Sequence, residues 1–456
     1  MKNRPAKSIG ARKAGLRARK WRSRARSRSS INLLRSSNAR GADASRAFPG
    51  FRRSRRWNWR WKSRSGSTRV SKTIYFVAGE ASGDNHGAEL MRSLRQLDVD
   101  LHFIGRGGPR MKTIAGGQFH DWIGNAAVLG LWEVIRNYGY FREKFRETLS
   151  EIEKSKPDAV VLIDYPGFNL RLARSLRPRM AAHKIIYYIS PQVWAWNRGR
   201  IKKMARFLDL MLCIFPFEAD LYNQSGLRTV FVGHPMIERL RACKIDIERD
   251  PNLIALFPGS RSREVRKIFP ILTETAHKLR RRKPNLRFEV AAASDELAQE
   301  MERLWHRHPA DKVHGLEVRA TMEIKTGEAA TIMQRACAGI VASGSATLEA
   351  AYFRLPFVLI YKVAWPTYLA ARLVVNVKYL GMPNVLADKE VVPEFIQHRA
   401  RPGVIAQAVV RLMDDHAARE NMLSEFDAIV AKLGEGGAST KAAQAIVDEL
   451  GAVRST

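Results

Sequence analysis

The chain has 456 residues, 45% of them hydrophobic, and a formal net charge of +34 from 78 Lys and Arg against 44 Asp and Glu. That length exceeds what one ordinary hydrophobic core encloses and that apolar content excludes a wholly disordered chain, so two folded domains are expected. A charge this large ordinarily points to nucleic acid or an anionic membrane, which makes its distribution along the chain the first question.

Residues 1–72 carry 24 Lys or Arg and a single acid, Asp43, so +23 of the +34 sits in under a sixth of the chain. This stretch shows no 3.6 or 2.0 apolar period. It consists of Arg/Ser repeats such as Arg22 to Arg28, with Trp21, Trp57, Trp59 and Trp61 set among arginines. Such a composition cannot bury enough apolar surface to offset chain entropy, and a disordered basic extension is expected. Three readings stay open for it. It is an arm that binds nucleic acid through phosphate neutralisation and stacking, or an Arg- and Ser-rich organelle leader. The third takes it as no part of the working protein: no Met falls between Met1 and Met91, and Val70 just ahead of the first strand would then be a misread alternative start.

From Thr73 short β-rich runs alternate with helical segments. Strands are expected at Ile74–Ala78, Leu101–Ile104, Ala159–Ile163, Lys184–Ile189, Leu210–Ile214 and Thr229–Val232. After the polar stretch 244–252 a second set follows at Leu253–Phe257, Arg287–Ala291, Gly339–Val341 and Phe357–Tyr361. Helices are expected at Ala88–Leu97, Leu131–Lys154, Lys267–Arg281 and Ala346–Tyr352, with helical texture from Arg401 onward. Continuous apolar strands separated by helices are the pattern of parallel sheets covered on both faces. The expected architecture is α/β, two Rossmann-like domains in tandem over 73–245 and 246–456, with the active-site cleft between them. Three scattered cysteines, Cys213, Cys243 and Cys337, offer no CxxC spacing, so reduced thiols and no zinc site are expected. No apolar run approaches the roughly 18 residues of a membrane span.

Several loops at strand ends carry chemistry. Ala78-Gly-Glu-Ala-Ser-Gly-Asp84 leads from the first strand into a helix expected near His86. It is either an anion or sugar site built on free amides or an ordinary βα turn with Asp84 as cap. Gly105 to Arg110 superficially resembles a nucleotide loop, but it is not GxGxxG and Pro109 is expected to disrupt the helix start. Asp164, at the end of a strand and exposed by the Pro166-Gly167 turn, is placed to take a proton from a hydroxyl nucleophile, or is only a turn former. The Ser190-Pro-Gln-Val-Trp-Ala-Trp196 run follows another strand, and at least one of its tryptophans is expected in the core. In the second half, Gly259, Ser260 and Arg261 suit a diphosphate, with amides for its oxygens and guanidinium for its charge. Ser343, Gly344, Ser345 and Thr347 open a second helix whose amino end would receive phosphate, and Glu349 would accept from a ribose; otherwise each of these two loops is only a tight βα connection.

Taken in order, these loops together with Gly108-Pro-Arg-Met111, Lys156-Pro-Asp158, Phe168-Asn169, Gly233-His-Pro235 and Met382-Pro-Asn384 resemble the lipid-A-disaccharide synthases, inverting glycosyltransferases of the two-Rossmann GT-B architecture. The resemblance implies transfer of a 2,3-diacylglucosamine unit from UDP to the 6-hydroxyl of 2,3-diacylglucosamine 1-phosphate. It gives Asp164 the part of general base, places Glu80 and Ser82 in the sugar-side loop of an acceptor-side first domain, and puts Arg261, Ser343, Ser345, Thr347, Glu349 and Asn384 on the UDP side. Gly167 stands where many relatives carry a second Asp. No cofactor and no metal are expected, so Arg261 and helix amino ends would stabilise the leaving UDP. Acylated substrates also imply a peripheral site at the cytoplasmic face of the inner membrane of a Gram-negative-type bacterium. Val128, Leu129, Leu131 and Trp132, followed by aromatic and basic residues from Tyr138 to Arg146, suit an apolar tip for that surface, or else a buried helix. A homodimer is a further expectation of the resemblance. The alternatives are another GT-B enzyme, a peptidoglycan-type GlcNAc transferase or a UDP-GlcNAc epimerase, and a nucleic-acid-binding protein working through the basic extension.

Overall fold

The computed structural model describes residues 71–123, 138–195, 199–306, 322–365, 368–369 and 377–451. Two parallel sheets organise it. The first has the order β3-β2-β1-β4-β5-β6-β7: β1 (Thr73–Ala78), β2 (His102–Gly107), β3 (Phe119–Asp121), β4 (Ala159–Ile163), β5 (Lys184–Tyr188), β6 (Leu210–Cys213) and β7 (Thr229–Phe231). The second runs β10-β9-β8-β11-β12-β13: β8 (Asp250–Phe257), β9 (Arg287–Ala292), β10 (Met322–Thr326), β11 (Ala336–Ala342), β12 (Phe357–Tyr361) and β13 (Glu394–Ile396). All ten expected strands form. The three additional ones, β3, β10 and β13, are sheet edges. An edge strand has one neighbour and needs no run that is apolar on both faces, so His120, Lys325 and Glu394 hide these strands from a hydropathy reading.

The central strands are buried on both sides; all five residues of β4 are inaccessible, for instance. The first sheet accordingly has a core on each face, one around Tyr75, Val160 and Tyr187, the other around Phe76, Val161 and Tyr188.

Two helix starts differ from expectation. Helix α1 (Ala81–Leu97) begins well before His86, which places Ser82, Gly83 and Asp84 in its first turn. Pro109 does not break the next helix; it opens α2 (Pro109–Ala115), where its missing N–H is no loss. The cap comes from the neighbouring helix on the same face of the sheet. Asp84, buried on α1, accepts from the amides of Gly108 (3.1 Å) and Met111 (2.9 Å) through Oδ1 and of Arg110 (3.1 Å) through Oδ2. The carboxylate of the first loop therefore serves the second helix, with the sign its dipole favours. Helix α3 (Tyr138–Ser155) is tied to the first sheet by Arg106, which pairs with Glu147 (3.0 Å) and Glu151, while Tyr75 Oη donates to Glu151 (2.7 Å). Residues 131–137 of the helix expected there lie outside the described residues.

The chain crosses between the cores twice. Val232 belongs to the first core and Met236 to the second, so α7 (Met236–Ala242) packs with the second half, ahead of the expected seam at 245. The return follows Leu433: α15 (Ala438–Gly451), expected with the second half from its place in the chain, packs on the first sheet through Ala442, Ala443 and Ile446. Glu449 of that helix is buried against Lys184 (2.7 Å) and Arg228. The crossing segments are bonded to each other, His234 N donating to the Leu433 carbonyl (2.9 Å) and Gly437 N to Glu238 (2.6 Å). Gly434, Gly436 and Gly437 all have positive φ, so the return segment needs glycine for its conformation. Ile446→Ala should cost about 3 kcal/mol, seen as a lower urea midpoint at unchanged m-value; an unchanged midpoint would mean that α15 does not complete the first core.

Candidate active site

In a parallel sheet, helices leaving two adjacent central strands toward opposite faces open a crevice at the strands' carboxyl ends. In the first sheet that point lies between β1 and β4, and in the second between β8 and β11. The sequence motifs fall at these two places. Glu80 follows β1 as the exposed N-cap residue of α1, with Ser82 exposed in the first turn. Asp164 follows β4 and precedes α4 (Pro166–Leu176).

Asp164 and Tyr165 are consecutive non-glycine residues in the left-handed region, φ 45° and 50°, an arrangement costing about 1–3 kcal/mol each unless the surroundings enforce it. They do. Asp164 N donates to the Tyr188 carbonyl (2.9 Å), and the Asp164 carbonyl accepts from Asn169 Nδ2 (2.8 Å) and Tyr187 Oη (2.6 Å). The Tyr165 ring lies over Gly79, where any Cβ would collide with it, and rests against Trp122 and Phe168. Trp122 is itself fixed by its indole N–H on the Ala78 carbonyl (2.6 Å). Burial, then the negative charge of Glu80, raises the Asp164 carboxyl to about 6, against the opposing Tyr165 amide. A half-buried carboxylate so placed suits a base working near neutrality. Gly167 is exposed with open space around its Cβ position, so the fold does not require glycine there.

At the second switch point a cavity of about 200 Å³ is bounded by Gly259, Ser260, Ser343, Gly344, Ser345 and Glu349, with Ala291 to Ala293 and Met333 as apolar wall. Arg261 is the N-cap residue of the 21-residue helix α8 (Ser262–Arg282); its side chain is 80% exposed and touches Glu264 at 3.4 Å, leaving it at the mouth. Two helix amino ends beside small residues and an arginine next to the cavity suit an anion. Glu349 is held by Arg239 of α7 (2.8 Å), a residue the sequence reading missed because it is one of two arginines on a short helix with no motif around it. Burial, then the charge of Arg239, holds the His86 imidazole below its ordinary value.

Two expected donor-side residues are committed elsewhere. Thr347 is fully buried and donates to the Gly344 carbonyl (2.8 Å), fixing the turn rather than facing the cavity. Asn384 is also fully buried. Its Nδ2 donates to the Val392 carbonyl (2.8 Å) and Glu394 (2.9 Å), and its Oδ1 accepts from Val391 N (2.8 Å) and Val392 N (2.9 Å), which exhausts an amide's capacity. Asn384 organises residues 391–394 and does not line the cavity. The expected membrane residues Val128, Leu129, Leu131 and Trp132 lie outside the described residues, as does Trp196. Trp194 is buried, and its indole donates to Glu218 (2.9 Å), which also accepts from Ser190 (2.5 Å). Burial raises the Glu218 carboxyl to about 7, and nothing in the sequence singled it out. No helix among the described residues is long and apolar enough to cross a membrane.

Two tandem Rossmann-like sheets, with a carboxylate at one switch point and an anion cavity at the other, define a GT-B glycosyltransferase. Solved structures share the fold at low identity: S. aureus MnaA, solved with UDP (TM-score 0.54, 14% identity, 84% of this chain and 98% of that one), and CalG4, the calicheamicin glycosyltransferase (0.51, 14%, 84% and 99%). Residues 74–447 match the family described as lipid-A-disaccharide synthetase. The lipid-A-disaccharide synthase of Geobacter sulfurreducens is 38% identical over 390 residues (84% of this chain, 98% of that one), and that of Myxococcus xanthus is 35% identical over 385 (83% and 97%). The chain belongs to the lipid-A-disaccharide synthase family, glycosyltransferases of lipid A biosynthesis.

Two outcomes follow from the Asp164 surroundings. The kcat/KM of the wild type should fall below about pH 6 as the carboxylate protonates, and Glu80→Gln should move that limb to lower pH, because the charge that raises the Asp164 carboxyl is gone; an unmoved limb would separate the two groups. Tyr187→Phe, which removes a donor to the Asp164 carbonyl, should lower kcat about tenfold with KM little changed, a loss on the scale of one hydrogen bond; unchanged kcat would show that the donor does not position the Asp164 carboxyl for turnover.

Proposed function

We propose that the protein joins UDP-2,3-diacylglucosamine to 2,3-diacylglucosamine 1-phosphate, releasing UDP and a disaccharide 1-phosphate, with the first domain holding the acceptor and the second the UDP-sugar. Asp164 takes the proton of the acceptor 6-hydroxyl. The freed oxygen lone pair attacks the anomeric carbon from the face opposite UDP, and the bond from that carbon to the diphosphate oxygen breaks, inverting the configuration. Arg261 and the amides at the amino ends of α8 and of the helix Ala346–Tyr352 stabilise the charge developing on UDP. Gly259, Ser260, Ser343, Gly344 and Ser345 shape the diphosphate site, and Glu349, oriented by Arg239, receives the ribose hydroxyls. Glu80 and Ser82 meet the sugar at the first switch point. The observation that carries the reading is Asp164, strained, half-buried and raised to about 6 at one switch point while an uncluttered anion cavity occupies the other.

The acyl chains of both substrates place the reaction at the cytoplasmic face of the inner membrane, with the protein lying on the bilayer. Tyr140, Phe141 and Lys144, packed ring edge to ring and cation over ring on α3, support the aromatic and basic flank of the expected membrane tip.

An assay of UDP release from these two substrates tests the proposal. Asp164→Asn should reduce kcat by roughly 10²–10⁴-fold, the range for loss of a general base, with the thermal transition retained. Full activity in Asp164→Asn would remove the base assignment, and no turnover by the wild type would remove the substrate assignment.

A further inference from the structure

Glu218 lies on α6 (Pro216–Asn223) and is completely buried, yet it is held by donors and by no cation among the described residues. Its Oε2 accepts from the Ser190 hydroxyl (2.5 Å) and the Phe215 amide (3.2 Å), and its Oε1 from the Trp194 indole (2.9 Å). The indole and the amide can only donate, so both oxygens must accept, which a carboxylate does and a carboxamide cannot. Burying a carboxylate without a counter-charge costs stability, and packing alone would be better served by an apolar residue. From the same helix the Tyr222 hydroxyl donates to the Pro191 carbonyl (2.7 Å). Helix α6 therefore grips Ser190, Pro191 and Trp194, at the start of the connection from β5 toward α5 (Gly199–Met204).

The gripped segment begins where the base is held. Strand β5 runs beside β4 with Tyr188 opposite Ile163, and the Tyr188 carbonyl accepts the Asp164 amide (2.9 Å). Between Tyr188 and Ser190 stands Ile189 at φ 66°, a conformation that a β-branched residue adopts only under constraint. With Asp164 and Tyr165, three left-handed non-glycine residues thus stand at the ends of two adjacent strands. The Ile189 amide is tied to the Leu212 carbonyl (3.0 Å), and on its other side Ser190 is tied to Glu218. We infer that Glu218 is a positioning residue for the sugar transfer: by fixing Ser190 and Trp194 from α6 it holds the strained end of β5, and with it the carbonyl on which the Asp164 amide rests. Being completely buried, it does not meet the substrate. The inference rests on the assignment of Asp164 as base proposed above.

Steady-state kinetics of the full chain, with UDP binding measured separately, test this. Ser190→Ala removes one hydroxyl and should lower kcat about tenfold, the size of one hydrogen bond, with KM for both substrates and the affinity for UDP unchanged. Glu218→Gln sets its NH2 against either the indole or the Phe215 amide and should lose at least as much. Ile152→Ala, a loss of buried packing on α3 at the opposite end of the sheet, serves as control and should keep kcat below its thermal transition. In an Asp164→Asn background neither Ser190→Ala nor Glu218→Gln should lower the residual rate further, because the group they position is gone. Unchanged kcat in both variants, an equal loss in Ile152→Ala, a rise in KM in place of the fall in kcat, or losses that multiply with that of Asp164→Asn would each overturn the inference. Full activity in Asp164→Asn would remove the base assignment and this inference with it, whereas a silent Ser190→Ala and Glu218→Gln beside a crippled Asp164→Asn removes the inference alone.

Discussion

Each half of this molecule is a parallel sheet wound outward in both directions from its first strand. The helices that leave β1 and β4 must therefore diverge to opposite faces, as must those that leave β8 and β11. Between each pair the backbone cannot close over the strand ends. The loops after these four strands stand at the two gaps, and they hold Glu80, Asp164, Arg261 and Ser343 to Ser345.

The two gaps are equipped differently. The first is rigid and strained, with Asp164 and Tyr165 forced into the left-handed region by Tyr187, Asn169 and a ring stack on Gly79. The second is open and lined by small residues, and its polar side chains either serve the turn, as Thr347 does, or are oriented by a neighbour, as Glu349 is by Arg239. Two hydrogen-bonded crossings connect the halves, and three glycines with positive φ sit in the second of them. Helix α15, passing back onto the first sheet, joins the end of the described chain to the first core.

The central strands and both switch-point loops were legible because burial on two faces imposes continuous apolar runs, and small residues after such runs betray a turn. What remained hidden had physical reasons. Edge strands β3, β10 and β13 lack the pattern that central burial writes. The start of α1 was misplaced because Ser82, Gly83 and Asp84 look like loop residues, yet Asp84 caps a different helix. The crossings at Val232–Met236 and after Leu433 depend on which core a helix joins, which periodicity does not reveal. Asn384 shows the limit of a motif: its position fits the donor side, but four internal hydrogen bonds give it a structural task. Arg239 and Glu218 carried no local signal, since each gains its role only from partners distant in sequence.

The net charge of +34 divides into unlike parts. Residues 1–72 carry +23 of it and stand outside the family match over 74–447, whereas the remaining +11 is spread over residues 73–456. The central claim, that the second switch point receives the nucleotide while the first supplies the base, is tested most directly by a crystal structure with UDP. The account predicts the diphosphate against the amides around Ser260 to Ser262 and Ser343 to Ala346, with Arg261 drawn onto it and the ribose beside Glu349. UDP bound at the first sheet, beside Glu80 and Asp164, would contradict it.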